Sequence, residues 1–133
     1  MKQYQFGVDY YPEHWPRERW PIDAQMMEKM GIQIVRMGEF SWQMFEPKMG
    51  EFHFELLGEV IQSLGEHGID VILGTPTAAP PAWMIEQDPK IQPMDEYGQR
   101  KYFGARHHDC QSNEQYRAHV KRYVTAYASH FAS

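Results

Sequence analysis

The sequence has only one cysteine, Cys110, so no disulfide can close within the chain. It has no surplus of positive charge either. Thirteen Lys and Arg stand against 18 Asp and Glu, a formal charge of −5, and no basic stripe is present to hold a nucleic acid. No apolar run approaches the length of a membrane span. The opening, Met1-Lys2-Gln3 followed by Tyr4-Gln5-Phe6-Gly7-Val8, lacks the long apolar region of a secretory signal. The expectations are a cytoplasmic location, no membrane and no nucleic-acid partner. Internal repeats, G-x-G-x-x-G and Walker phosphate loops are absent as well, which removes the usual nucleotide-binding signatures.

Aromatic residues are abundant, at 14% of the 133 residues: four Trp, eight Tyr and seven Phe. With 42% apolar and 23% charged residues, the chain has the composition of an ordinary folded protein with a core. The aromatic rings fit two roles, packing in that core or covering the apolar faces of sugars.

Hydrophobic periodicity alternates between short runs and helical stripes. Residues 6–10 read as a strand, and Asp23 to Met30 as a helix with Met26, Met27 and Met30 on its apolar face. Pro21 suits that helix's first turn and Gly31 its end. Residues 32–37 read as a second strand, and about 54–67 as a second helix. There Leu57, Val60, Ile61 and Leu64 form one stripe and Gly68 the terminator. Residues 69–73 form a third strand, apolar enough to be covered on both faces. From Gly74 to Gln111 five prolines break any continuous helix. A last helix covers about 113–131, with a capping box expected from Ser112 and Gln115.

The order βαβαβ-loop-α predicts a parallel sheet with right-handed crossovers. A doubly wound sheet and a (β/α)₈ barrel both fit. The bulky turn Tyr11-Pro12-Glu13-His14-Trp15-Pro16 is not the Gly-rich turn of the nucleotide-binding version, so the barrel is favoured. A barrel needs eight such units and about 250 residues, so three units are an incomplete domain.

Barrel enzymes build their sites from the loops after the strands. Those loops hold Glu13, His14 and Trp15, then Glu39, Phe40 and Trp42, then Trp83 and finally Arg106-His107-His108-Asp109-Cys110. Trp15, Trp42 and Trp83 can plug the barrel top or stack on sugar. Glu39 can be catalytic by position, or scaffold held by a cation. Arg106 has five fixed donors for hydroxyls or a carboxylate. Residues 107–110 have the composition of metal ligands, but neighbours in sequence rarely all reach one ion.

Four segments in order resemble glycoside hydrolase family 42, the bacterial β-galactosidases. They are Gly7-Val8-Asp9-Tyr10-Tyr11-Pro12-Glu13-His14-Trp15, then Val35-Arg36-Met37-Gly38-Glu39-Phe40-Ser41-Trp42 with Phe45-Glu46-Pro47 and Gly50-Glu51-Phe52. Next comes Leu73-Gly74-Thr75-Pro76-Thr77-Ala78-Ala79-Pro80-Pro81-Ala82-Trp83-Met84, the most specific, and last Phe103-Gly104-Ala105-Arg106-His107-His108-Asp109-Cys110. The resemblance implies that residues 1–133 are the N-terminal part of a (β/α)₈ catalytic domain, its first three βα units. The rest of the barrel and two later domains would lie elsewhere.

The implied activity is hydrolysis of terminal β-galactosides with retention, through a covalent glycosyl-enzyme, by a protein that commonly forms homotrimers. Retention needs two carboxyl groups about 5–5.5 Å apart. The family's acid/base Glu follows an Asn at the end of strand four and its nucleophile ends strand seven, so both are expected beyond Ser133 and no catalytic residue is assigned here. Asn113-Glu114 opens a helix and is a false match. By resemblance Arg106, four residues before Cys110, binds the galactose. Cys110 holds the position of the first Cys in a four-Cys structural zinc site of some members, whose other three thiols this sequence lacks. No cofactor is required. Where His107 stands the family often has Arg. The other readings are a barrel hydrolase with another sugar preference and a non-catalytic carbohydrate-binding remnant.

Overall fold

The computed structural model describes residues 4–132. In chain order its elements are β1 (Gly7–Asp9), α1 (Trp20–Lys29), β2 (Ile34–Met37), α2 (Trp42–Phe45), α3 (Glu55–Gly65), β3 (Asp70–Leu73), α4 (Ala82–Gln87) and α5 (Glu114–Phe131). The three strands make one parallel sheet in the order β1-β2-β3, with Val8 opposite Val35 and Val35 opposite Val71. The described residues divide into two compact units, each made from two stretches of chain. One comprises residues 4–38 and Glu55–Gly74; the other comprises Glu39–Phe54 and residues 75–132.

The first unit is the sheet with α1 and α3. Parallel strands cannot join by a tight turn, so each pair is linked through a helix that packs back on the sheet. Val35 and Met37 are fully buried on one sheet face, while Arg36 between them is exposed on the other, as the two-residue period requires. Leu57, Val60 and Leu64 are the buried stripe of α3. Gly31 and Gly68 end their helices at positive φ, 73° and 68°, and the next residues, Ile32 and Ile69, donate back to the carbonyls of Met27 and Leu64.

The other sheet face is open. It forms a hollow of about 430 Å³ lined by Gly7, Asp9, Ile34, Arg36 and Ile72. The sequence expects β3 to be covered on both faces, but Ile72 is 49% exposed, because only one face carries helices here. Gly7 is required by close strand approach: a Cβ there would lie 2.5 Å from Ile34 Cγ2 and 2.6 Å from its carbonyl oxygen.

The expected Met stripe of α1 is not its buried face. Met26 is about half exposed and Met30 more so, and Trp20 and Ala24 are buried instead. Ala24 is small enough to let the helix approach closely, and the Trp20 indole donates to the Pro12 carbonyl at 3.0 Å, which fixes the rotation. The helix also starts at Trp20, three residues before the expected Asp23.

The second unit has an aromatic core. Phe54 lies 5.2 Å from Tyr127, 5.9 Å from Tyr123 and 6.4 Å from Phe45, all near edge-to-face. Its long helix α5 buries Tyr116, Tyr123 and Tyr127. The cap of α5 is Asn113, whose side chain accepts from the Tyr116 amide at 2.9 Å, not the expected Ser112–Gln115 box. Asn at this position serves alone, because its amide oxygen reaches the N3 donor without a reciprocal partner.

Candidate functional site

The loop after β1 belongs to the first unit. Tyr10 is buried and donates to Asp23 at 3.1 Å, and Arg19 Nε donates to the same carboxylate at 2.6 Å. Burial, and then the Asp23 charge, push the Tyr10 phenol well above its ordinary value, so it stays a donor. The Arg19 guanidinium lies 5.5 Å from the Trp15 ring centroid, so this half-exposed ring has a cation over it. His14 stacks on Tyr11 at 5.6 Å, and Glu13 is half-buried.

The remaining candidates belong to the second unit. Glu39 is buried at 7% exposure, two residues beyond the last residue of β2. Trp42 and Trp83 converge on one residue that sequence reasoning noted only as part of a motif, Glu46. Trp42 Nε1 donates to Glu46 Oε2 at 2.8 Å, Gly50 N donates to Oε1 at 2.6 Å, and Arg122 pairs with the same carboxylate. Trp83 Nε1 donates to the Glu46 backbone oxygen at 2.8 Å. The carboxylate is fully buried, so these donors compensate its lost hydration. Trp42, fully buried, is thereby structural, and Trp83, partly exposed, is oriented by its bond. The signal available in the sequence was the i, i+4 spacing of Trp42 and Glu46 beside Phe45 and Pro47. His119 meets the Trp83 ring edge-on at 5.4 Å, and its pKa is lowered by burial first and by Arg122 second.

The expected irregular stretch contains α4, two short 3₁₀ turns and a braced arm. Met94 and Arg100 pair antiparallel at the arm, and Asp95 Oδ1 accepts from the amides of Tyr97 and Gln99. Arg106 follows it on an exposed loop, with its guanidinium 5.2 Å from the Phe40 ring centroid. The guanidinium therefore makes a cation–π contact while the residue remains accessible, an arrangement suited to hydroxyl or carboxylate oxygens.

The four residues after Arg106 go separate ways. His107 has a left-handed backbone, φ 53°, and its amide donates to the Ala78 carbonyl at 2.9 Å. His108 is buried, with Nδ1 on the Ala105 carbonyl and its ring edge-on to Phe103 at 5.0 Å. Asp109 lies beside the Tyr116 hydroxyl, which donates to the Thr77 carbonyl; burial and then Asp109 raise that phenol's pKa. The Cys110 thiol is free and half-buried, and its amide donates to the Ile91 carbonyl at 2.7 Å. Among the described residues no three of His, Cys, Asp and Glu gather as a metal site. Cys110 is thus a lone donor, and these residues do not make up the four ligands of a structural zinc. No helix among them is long and apolar enough to cross a membrane.

Comparison with known proteins gives a consistent answer. A family model described as β-galactosidase, that of glycoside hydrolase family 42, matches residues 9–133. A β-galactosidase of Thermus thermophilus is 46% identical over 125 residues, 94% of this chain and 19% of the relative. The crystal structure of a β-galactosidase from the psychrophilic Marinomonas ef1 is 47% identical with a TM-score of 0.92, covering 96% of this chain and 20% of that one. A polyextremophilic β-galactosidase from the Antarctic haloarchaeon Halorubrum lacusprofundi is 41% identical with a TM-score of 0.94, over 98% and 20%. The chain therefore spans about one fifth of the length of the relatives it matches.

Proposed function

The chain belongs to glycoside hydrolase family 42, and from that premise we propose that it is a sugar-binding part of a retaining β-galactosidase. Its three βα units are those of a (β/α)₈ barrel. The whole enzyme would hydrolyse terminal β-galactosides in two displacements, with one carboxyl group as nucleophile and the other as acid and then base. Both carboxyl groups would come from parts of the enzyme outside these 133 residues. Glu114 is not one of them, since Asn113 before it is spent as the cap of α5. A homotrimer in the cytoplasm goes with this reading, and a four-Cys zinc site would need three thiols from outside this chain.

The observation that carries the reading is Arg106, accessible and lying against Phe40 at 5.2 Å, in a chain of this family. A guanidinium held in one plane donates charge-assisted hydrogen bonds to sugar hydroxyls. Those bonds strengthen as the ring flattens towards an oxocarbenium-like state. The test uses a full-length family member carrying this segment. Arg106→Ala should lower kcat/KM for an aryl β-galactoside by roughly thirty- to a thousand-fold, about 2–4 kcal/mol. Arg106→Lys keeps the charge, loses the fork and should fall less. A folded Arg106→Ala enzyme with wild-type kcat/KM would remove Arg106 from the site.

A further inference from the structure

We propose that Lys101 is the positioning residue for Arg106, acting on its peptide plane and not on the sugar; this rests on the reading of Arg106 as a sugar contact. The Lys101 ammonium donates to two successive backbone carbonyls, that of Arg106 at 3.1 Å and that of His107 at 2.8 Å. In extended chain successive residues face opposite ways and their carbonyls diverge. The left-handed turn at His107, φ 53°, brings both to one cation. A histidine held in that region needs its surroundings to hold it there. The ammonium supplies part of that hold, spending two of its three donors. The His107 amide, donating to Ala78 at 2.9 Å, supplies another part.

The base of the clamp is firm. The Lys101 amide donates to the Pro93 carbonyl at 2.9 Å, and Arg100 Nη1 donates to the Gln92 carbonyl at 2.9 Å. The arm beyond is closed by the Asp95 amide on Gln99 O at 2.9 Å and by the Gln99 amide on Asp95 Oδ1 at 2.8 Å. Lys101 thus projects from a braced arm onto the segment that carries Arg106. With Arg106's own peptide fixed, its guanidinium is held over Phe40 before any sugar arrives. Removing the cation leaves two carbonyl dipoles side by side and frees the turn. A displacement of about 1 Å at a sugar contact can cost about a hundred-fold in rate.

The experiment is a double-mutant cycle in a full-length family member carrying this segment, read as kcat and KM on an aryl β-galactoside, with melting temperature as the folding control. Lys101→Met is expected to lower kcat/KM by about ten- to a hundred-fold with an unchanged melting temperature. Lys101→Arg, which restores a cation able to reach the carbonyls, should recover most of it. In an Arg106→Ala background Lys101→Met should cost nothing further, because what it positions is gone. Lys101→Met at wild-type kcat/KM overturns the proposal while leaving the role of Arg106 intact. So does a Lys101→Met loss that persists undiminished in the Arg106→Ala background, which marks a general structural role. Arg106→Ala at wild-type kcat/KM overturns the reading of the site itself, and the proposed purpose of Lys101 with it.

Discussion

Glu46→Ala is expected to be strongly destabilising to the second unit. The carboxylate is fully buried and accepts from Trp42 Nε1 at 2.8 Å and Gly50 N at 2.6 Å, besides pairing with Arg122. Hydrogen bonds to a charged acceptor are worth about 1.5–3 kcal/mol each, and two on one group do not simply add. Removing the carboxylate also leaves the Trp42 indole and the Gly50 amide without an acceptor, at about 1–3 kcal/mol each, while Arg122, 32% exposed, keeps contact with water. The expected loss is therefore about 3–5 kcal/mol for Glu46→Ala. Glu46→Gln keeps the shape, but its amide nitrogen faces donors, so a loss of about 2–3 kcal/mol is expected. Arg122→Met strands the fully buried carboxylate but leaves it two donors, so its cost should be comparable, about 3 kcal/mol. The assay is urea unfolding, followed by tryptophan fluorescence, of a full-length family member carrying this segment. Trp42 and Trp83 both bond to Glu46, so part of the signal arises beside it. Hydrogen exchange at the Gly50 amide is a second readout, expected to speed up in both Glu46 variants. A Glu46→Ala midpoint within about 0.5 kcal/mol of wild type would show that the network contributes nothing.

Three further outcomes are expected. Gly7→Ala places a methyl 2.5 Å from Ile34 Cγ2 and 2.6 Å from its carbonyl, so β1 must shift from β2 at a cost of about 1–3 kcal/mol; an unchanged urea midpoint would contradict it. His119 has a depressed pKa, so the unfolded chain takes its proton first as pH falls: stability is full above the ordinary His value of about 6.5 and declines as pH drops below it. His119→Gln should flatten that slope in unfolding measured between pH 7.5 and 5, and an identical slope in the variant would assign it to other groups. The 133-residue chain on its own should self-associate in sedimentation and show no turnover of a chromogenic β-galactoside, since Ile22, Met26 and Met30 form an exposed stripe on α1 and the inner sheet face is open; a monodisperse monomer, or activity free of host enzyme, would contradict it.

The α/β order was legible because strands and helices follow different periods, and the terminators Gly31 and Gly68 stand where helices must stop. The rotation of α1 was not, because Met and Ala are both apolar and pattern alone does not say which side must come closest. Ala24 and the bond from Trp20 to Pro12 decide that, and both are tertiary. The short helices α2 and α4 lay inside proline-punctuated loops, where one or two turns leave no periodic trace. At the candidate site, Arg106 was proposed by resemblance, and its place beside Phe40 is visible only in the structure, since 66 positions separate them. Glu46 was hidden because a buried carboxylate looks like any other Glu until its donors are seen.

Each unit being sewn from two distant stretches of chain has a consequence for biosynthesis. Glu46 and its partner Arg122 are 76 positions apart. At about 5–20 residues per second, a ribosome emits the cation roughly 4–15 s after the carboxylate. During that interval Trp42, Phe45 and Phe54 have no α5 to pack against, a sticky aromatic segment carrying an unpaired charge. The second unit therefore cannot close its aromatic core or pair its buried carboxylate until α5 has been made.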